Sequence, residues 1–424
     1  MTHKKIIAYL LVFLFSLTGL LQAQTTKEEF LSDSRFAGGL YCPYLYVNTA
    51  QTPVPTGYSP FYISHYGRHG SRWTISPSCH VGPLKILGDA NTAGKLTEAG
   101  KSVLQRIQAA ADDAGNRYGD LAPLGIKEER GIAERMFQAY PQIFGVKAAG
   151  KCFVYSRSTQ VPRCILSMAA FDERLKELNP EITVVREASQ RDKYLNNDPV
   201  KSADTIKNLK SIFLKQHFHP GRFIANLFTD TMYAKQMIDD PGKFANQVYA
   251  AAINLMDLDH LHFTLLDAFT PEELFVLWQA DNMSMYYAVG PSTLNGKNAT
   301  QSASLLLRNI LDCADSVIKN MNVSADLRFG HDSYIIPLLA ILEIQGMNIQ
   351  ESDPEKIYMG WSSFKASPMG ANLQIIFYKN DSNGDILVKL LHCEKEVRIP
   401  VSTDIAPYYH WKDFKSYYEK KVRE

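Results

Sequence analysis

Phe61-Tyr62-Ile63-Ser64-His65-Tyr66-Gly67-Arg68-His69-Gly70-Ser71-Arg72-Trp73 changes character halfway along. Its first part continues an apolar and aromatic run that starts at Pro60, and Pro60 to Ile63 reads as a short buried strand. The second part sets arginines and histidines around glycines. Arg68 and Arg72 each carry a planar, permanent charge that suits the face of a tetrahedral anion, and they flank His69. Like charges nearby disfavour protonation, so His69 is expected to be neutral. A neutral imidazole can attack phosphorus. Gly70 lets the backbone come close to whatever the arginines hold.

Two later stretches repeat the pattern of a strand that runs into polar residues and then a helix. Cys152-Phe153-Val154-Tyr155 reads as a strand ending at Ser156-Arg157-Ser158-Thr159. The helix after it carries Arg163 one turn further on and an apolar face at Ile165, Leu166, Met168 and Phe171. Ala325 to Phe329 is a third strand, closed by Gly330-His331-Asp332-Ser333 before an apolar helix from Tyr334 to Leu342, with Pro337 expected in its first turn. In open α/β sheets, ligands bind beyond the carboxyl ends of parallel strands. Three strand ends bearing Arg68 to Arg72, Arg157 and His331-Asp332 therefore point to one anion site.

Arg68-His69-Gly70-Ser71-Arg72 resembles the first signature of the histidine acid phosphatases. These form the branch of the histidine phosphatase superfamily that holds acid phosphatases, phytases and multiple inositol polyphosphate phosphatases. Gly330-His331-Asp332 looks like its second signature, Leu96-Thr97-Glu98-Ala99-Gly100 like its Leu-Thr-x-x-Gly element, and Arg157-Ser158-Thr159 like its Arg-Ser-Thr element. The resemblance implies an α/β, phosphoglycerate-mutase-like core with a mostly parallel sheet flanked by helices, plus an inserted α-helical cap. It also implies that His69 forms a phosphohistidine, that Arg68, Arg72, Arg157 and His331 hold the phosphoryl oxygens, and that Asp332 protonates the leaving group. No cofactor and no metal are implied. Two positions depart from the family pattern. Thr74 stands where a proline is usual, and His331-Asp332-Ser333 differs from the His-Ala-Glu general among the inositol polyphosphate phosphatases.

A chain of 424 residues holds two structural units or one large domain with an insertion. The expected division is a signal peptide over 1–23, a core over 24–171 and 320–424, and a helical cap over 172–319. Lys4 and Lys5, an apolar run from Ile6 to about Leu21 and the small Ala23 make the signal, and an uncleaved anchor is the alternative. The protein is expected to be exported, to a periplasm or beyond, without stable membrane association. Thr25 to Phe36 reads as a helical lead-in, and a helix is expected to open at Pro83 to Leu87. Asn383-Gly384 between Leu373 to Tyr378 and Ile386 to Leu391 signals a hairpin, with Val397 to Pro400 as an added edge.

The net charge of +1 supplies no global field for nucleic acid or membrane, so an anionic substrate must meet local positive charge. Lys201, Lys207, Lys210 and Lys215 are either a solvated helix face or a substrate rim. Six cysteines in an exported chain permit disulfides that sequence cannot pair. His65 reads as packing or support behind His69. His217-x-His219 and His260-x-His262 raise zinc as a rival, since alternate histidines on a strand share a face. The reading reached is an exported phosphomonoesterase acting on a small molecule, foremost a phosphorylated inositol such as phytate. Its alternatives are a broad-specificity acid phosphatase, a phosphate-ligand binding protein without turnover and a phosphoglycerate-mutase-like transferase. The oligomeric state stays open.

Overall fold

The computed structural model describes residues 25–145, 152–195, 203–292, 294 and 298–423. The segment read as a signal peptide and Lys201 lie outside the described residues. The described strands are β1 (Tyr58–Arg68), β2 (Phe153–Ser158), β3 (Thr183–Glu187), β4 (Ala325–Gly330), β5 (Asn372–Asn380), β6 (Ile386–His392), β7 (Lys395–Glu396) and β8 (Tyr408–His410). They form one sheet in the order β3-β2-β4-β1-β5-β6-β7, with β8 also on β6. The half from β3 to β1 is parallel, whereas β5 onward is antiparallel. β1 sits in the middle and is buried from Tyr62 to its end, which is why its sequence is a run of large side chains without polar alternation.

Register places the site. Ile63 pairs with Ala325 and each later residue follows in step, so Arg68 lies beside Gly330 and both signatures leave the sheet at the same level.

The helices used below are α1 (Ser78–Thr92), α2 (Glu98–Ala114), α3 (Pro123–Ala139), α4 (Pro162–Leu178), α5 (Ala203–His217), α6 (Pro241–Asn254), α7 (Pro271–Val289), α8 (Ser304–Asn320), α9 (Asp332–Ile341) and α10 (Trp411–Lys421). α3 and α4 cover one face of the sheet, where Ile132, Met136, Met168 and Phe171 meet Ile63, Val154 and Leu327. On the other face Ile310, Ile335, Leu339 and Phe414, from α8, α9 and α10, pack on Tyr62 and Tyr66. A separate apolar cluster joins Leu87 and Val103 of α1 and α2 to Phe244, Tyr249 and Trp278 of α6 and α7. Residues 78–114, expected in the core, thus share their packing with the helical insertion.

Several local expectations change. Thr183–Glu187, inside the stretch expected to be a helical cap, pairs in parallel with β2. Pro83 and Pro337 each lie inside a helix that starts earlier, at Ser78 and Asp332. A proline there forfeits one backbone bond, and both helices continue through it. Val397 to Pro400 forms no strand, because after Val397 bonds to Leu390 the Ile399 N–H turns to the Tyr409 hydroxyl. The hairpin is present, with Gly384 at φ +74. All six cysteines are free thiols. Among the described residues no helix is long and apolar enough to cross a membrane.

Candidate active site

Beyond β1 the chain keeps bonding as if the sheet continued. Arg68 N–H donates to Ala371 O at 2.8 Å, His69 N–H to Gly330 O at 2.9 Å, and Gly370 N–H to His69 O at 3.1 Å. His69 is therefore wedged between the β4 exit and the entry to β5. The start of α3 then presses on the loop. A Cβ at Gly70 would lie 2.6 Å from Gly125 Cα, and one at Gly125 would lie 2.3 Å from Ser71 O, so this crossing needs glycine on both sides. Leu96 to Gly100 does open a helix, with Thr97 capping the Gly100 N–H, but Gly100 faces Leu227 instead of the loop.

His69 is 2% exposed, and its Nδ1 lies 2.8 Å from Gly70 O. A carbonyl only accepts, so Nδ1 carries the proton and Nε2 keeps a free lone pair. Burial, then Arg68, Arg72 and Arg163, hold this imidazole well below the ordinary histidine range. Arg68 is anchored by Nη1 bonds to the Leu40 and Ser367 carbonyls, each 2.7 Å. Arg72 donates to Trp73 O and to the Tyr41 hydroxyl and lies over the Tyr41 ring. Arg163, in the first turn of α4 behind Pro162, donates to Gly119 O at 3.3 Å. After these anchors, Arg68 Nε and Nη2, Arg72 Nε and Arg163 Nε remain buried without a hydrogen-bond acceptor. Donors in that state are costly unless an anion completes them.

The second signature closes the ring. A Cβ at Gly330 would come 2.2 Å from the Tyr66 hydroxyl, which accepts the His331 N–H at 3.1 Å. That contact turns His331 toward His69, with ring centres 5.6 Å apart. Burial and then Arg163 bring His331 down to about 4, so it too is neutral near pH 7. Asp332 opens α9 and is 3.0 Å from Arg68 Nη2, an ion pair without hydrogen-bond alignment, with its side chain still 23% exposed. Burial would raise its carboxyl, but Arg68, His331, Arg72 and the Ser333 N–H outweigh that and hold it below its usual value.

The structure thus brings Arg68, His69, Arg72, His331 and Asp332 together and sends Arg157 elsewhere. Arg157 Nη1 pairs with Asp326 at 2.8 Å, because its side chain projects from within β2 toward β4 and not from the strand's end. The third guanidinium acting on both histidines is Arg163. Its signal in the sequence was Pro162, whose fixed φ marks a first helical position and so puts the next side chain at the helix mouth. Lys210 pairs with Asp281, and Lys207, Lys210 and Lys215 line a cleft of about 560 Å³ at the Asp240–Asn246 end of α6. The other end of that helix, Asn254, bonds Arg72 O, and 14 residues at about 1.5 Å each separate the two by roughly 20 Å.

His65 packs between Phe171 and Phe329, as read. His217 pairs with Glu355 and His260 with Asp113, and among the described residues no group of three or more His, Cys, Asp or Glu is placed to hold a metal ion. Thr74 N–H donates to Asn254 Oδ1 at 2.9 Å, a bond that the proline usual in the family could not make.

No match to the sequence is found among curated proteins. Solved structures share the fold. The multiple inositol polyphosphate phosphatase of Bifidobacterium longum, in complex with inositol hexasulfate, superposes with a TM-score of 0.75 at 18% identity, covering 90% of this chain and 97% of that one. A phytase from D. castellii gives 0.65 at 14% identity over 93% and 85%. The Hafnia alvei phytase in complex with myo-inositol hexakis sulphate gives 0.51 at 14% over 87% and 98%. The sequence profile of the histidine phosphatase superfamily (branch 2) matches residues 67–392, which takes in both signatures and the helical insertion. A match over that span, on a fold that gathers the signature residues at one sheet edge, establishes that the chain belongs to branch 2 of the histidine phosphatase superfamily and is a phosphoric monoester hydrolase.

Proposed function

We propose that the protein is an exported hydrolase of phosphorylated inositols that works through a phosphohistidine on His69. One observation carries the reading: His69, with its Nδ1 committed to Gly70 O and Nε2 left free, lies under the influence of Arg68, Arg72 and Arg163, whose Nε atoms are buried without acceptors. A phosphoryl group seated there has its oxygens met by Arg68, Arg72, Arg163 and His331 and its phosphorus within reach of Nε2. Phosphoryl transfer depends mainly on positioning and charge stabilisation, which three guanidiniums supply.

In the first step the Nε2–P bond forms as the bond to the leaving oxygen breaks, and Asp332 gives that oxygen its proton. Water then attacks phosphorus as the Nε2–P bond breaks, Asp332 takes the proton that the water loses, and phosphate leaves. General acid help of this kind contributes typically about 10² to 10⁴ in rate. Asp332 is ionised in the free protein, so it must gain its proton with the substrate. A bound phosphate offsets Arg68 and Arg72, the charges that hold the carboxyl low. The preference for inositol polyphosphates rests on the fold shared with the Bifidobacterium longum enzyme, and export rests on the amino-terminal pattern of Lys4-Lys5, apolar run and Ala23.

The test is phosphate release at mildly acid pH from inositol hexakisphosphate and from an aryl phosphate, with chelator present, for the wild type and His69→Ala. A strong preference for the inositol substrate, with kcat lowered about 10⁴-fold or more in His69→Ala, is expected. Equal turnover of both compounds would move the reading to a broad acid phosphatase. An active His69→Ala would end it.

A further inference from the structure

Behind the nucleophile lies a chain of bonds that the scheme above does not use. Gly70 C=O, which accepts the His69 Nδ1 proton at 2.8 Å, belongs to the same peptide group as Ser71 N–H. That N–H donates to Glu128 Oε2 at 2.7 Å. Glu128 stands on α3 one turn after Gly125, and the close crossing at Gly125 is what lets its short reach suffice.

Glu128 is 8% exposed and also accepts the Ser71 hydroxyl at 3.0 Å and the Tyr44 N–H at 2.8 Å. Burial raises its carboxyl on balance, and those donors and Arg68 hold back part of that rise. The Tyr44 and Ser71 N–H groups can only donate, so each carboxyl oxygen accepts a backbone bond, an arrangement that suits the carboxylate form. Its neighbours differ. Glu129 has an oxygen without a partner and is pushed far up by burial and by Glu128, and Asp257 is pushed far up by burial in the same way. Among these three buried acids, Glu128 is the one whose oxygens are all bonded.

We propose that Glu128 is a positioning residue for the phosphoryl transfer, acting on His69 through the single peptide group between Gly70 and Ser71. The negative carboxylate polarises Ser71 N–H, which makes Gly70 O a stronger acceptor for the Nδ1 proton. Two consequences follow for His69. Its proton stays on Nδ1, which leaves Nε2 as the attacking atom. When Nε2 bonds to phosphorus the ring becomes cationic while Nδ1 keeps its proton, and the carboxylate stabilises that charge across the peptide. The role matches that of the aspartate in a serine–histidine–aspartate triad, with one amide interposed.

This inference rests on His69 being the nucleophile, so the experiment includes His69→Ala. Glu128→Gln keeps the size and removes the charge. Its kcat is expected to fall about 10- to 100-fold, less than the roughly 10⁴ lost with a carboxylate that touches a reacting histidine directly because a peptide lies between, with KM within about threefold. In ¹⁵N spectra, His69 of the wild type is expected to be protonated at Nδ1 alone, and the variant to show a mixture of tautomers. A purely structural role would leave that tautomer balance alone. If Glu128→Gln does not fold, Glu128→Asp keeps the charge one methylene short of its donors, with an expected loss of about tenfold in kcat. A folded variant with kcat within about twofold of wild type, or with Nδ1 still the sole protonated nitrogen, overturns the proposal. An active His69→Ala would instead overturn the nucleophile assignment on which it stands.

Discussion

Two groups of arginines, one within the strands of the sheet and one at and beyond the carboxyl ends of those strands, are finished differently. Arg157 and Arg328 sit within strands around Asp326, which takes an Arg157 bond on one oxygen and the Tyr62 hydroxyl on the other. Arg328 donates further to Asn309 and Ser64, leaving Nη2 as its one nitrogen without an acceptor. Arg68 ends β1, Arg72 and Arg163 lie beyond the strand ends, and four of their nitrogens make no hydrogen bond, although Arg68 Nη2 is ion-paired with Asp332. The first group is a network, closed but for that one nitrogen, that holds β2, β4 and β1 together. The second is held by carbonyls at its back and left open in front. For a buried arginine, what separates a scaffold role from a ligand role is whether the fold itself supplies the acceptors.

Swapping the two groups in an experiment should give opposite signatures. Arg163→Ala is expected to lower kcat/KM by about 10² to 10³, the scale for losing one donor to a developing oxyanion, with little change in unfolding. Arg157→Ala leaves Asp326 with less compensation at a site where it is 4% exposed, so stability should fall by about 3 kcal/mol. Its kinetics on the folded fraction should stay within about tenfold. Urea melts and steady-state kinetics on both variants decide the matter. Equal kinetic losses would show that Arg157 also serves the phosphate.

That contrast marks where the sequence could be read and where it could not. The strand ends, the two signatures and the hairpin were legible because each is local: a buried run, then glycine and charge, then a helix. The Arg157–Asp326 pairing was not legible because a strand's final side chains alternate between faces, and one sequence does not say at which residue the strand stops. β3 was missed because Thr183–Glu187 is a half-exposed strand with two charged residues in five, a pattern that does not stand out between helices. Glu128 had no local signal at all. Its meaning depends on α3 crossing the loop at Gly125, which brings Glu128 to Ser71 across 57 residues of chain.

The open group also predicts a pH profile. His69 is held well below its ordinary range and His331 at about 4, so both are neutral near neutral pH and neither sets the alkaline limb. Asp332 has a lowered pKa, and the form needed to protonate the leaving group is the acid. In the free protein that form is lost as pH rises through the lowered value. In the complex the bound phosphate raises that value. The descending limb of kcat should therefore lie at higher pH than that of kcat/KM, and each should fall about tenfold per unit beyond its midpoint. Asp332→Asn should remove most of the descending limb in kcat. A profile that rises toward alkaline pH would exclude Asp332 as the proton donor.

A smaller effect separates the two ends of α6. At its Asn254 end the side chain takes the Thr74 N–H and donates to Arg72 O, so it ties the signature loop to the insertion on both sides of Trp73. Thr74→Pro restores the residue usual in the family but removes one buried donor, leaving Asn254 Oδ1 without it. That should cost about 1 to 3 kcal/mol of stability and lower kcat severalfold through Arg72. At the other end the lysines are either solvated or, for Lys210, paired with Asp281. Changing Lys207 and Lys215 to alanine together removes two exposed charges roughly 20 Å along the helix from the arginines, more than a Debye length of about 8 Å at physiological salt. KM for inositol hexakisphosphate should then shift by less than about twofold at that ionic strength. A larger rise in KM that vanishes at about 1 M salt would mean that these lysines gather the substrate from a distance after all, and that the open group of arginines extends electrostatically across the whole insertion.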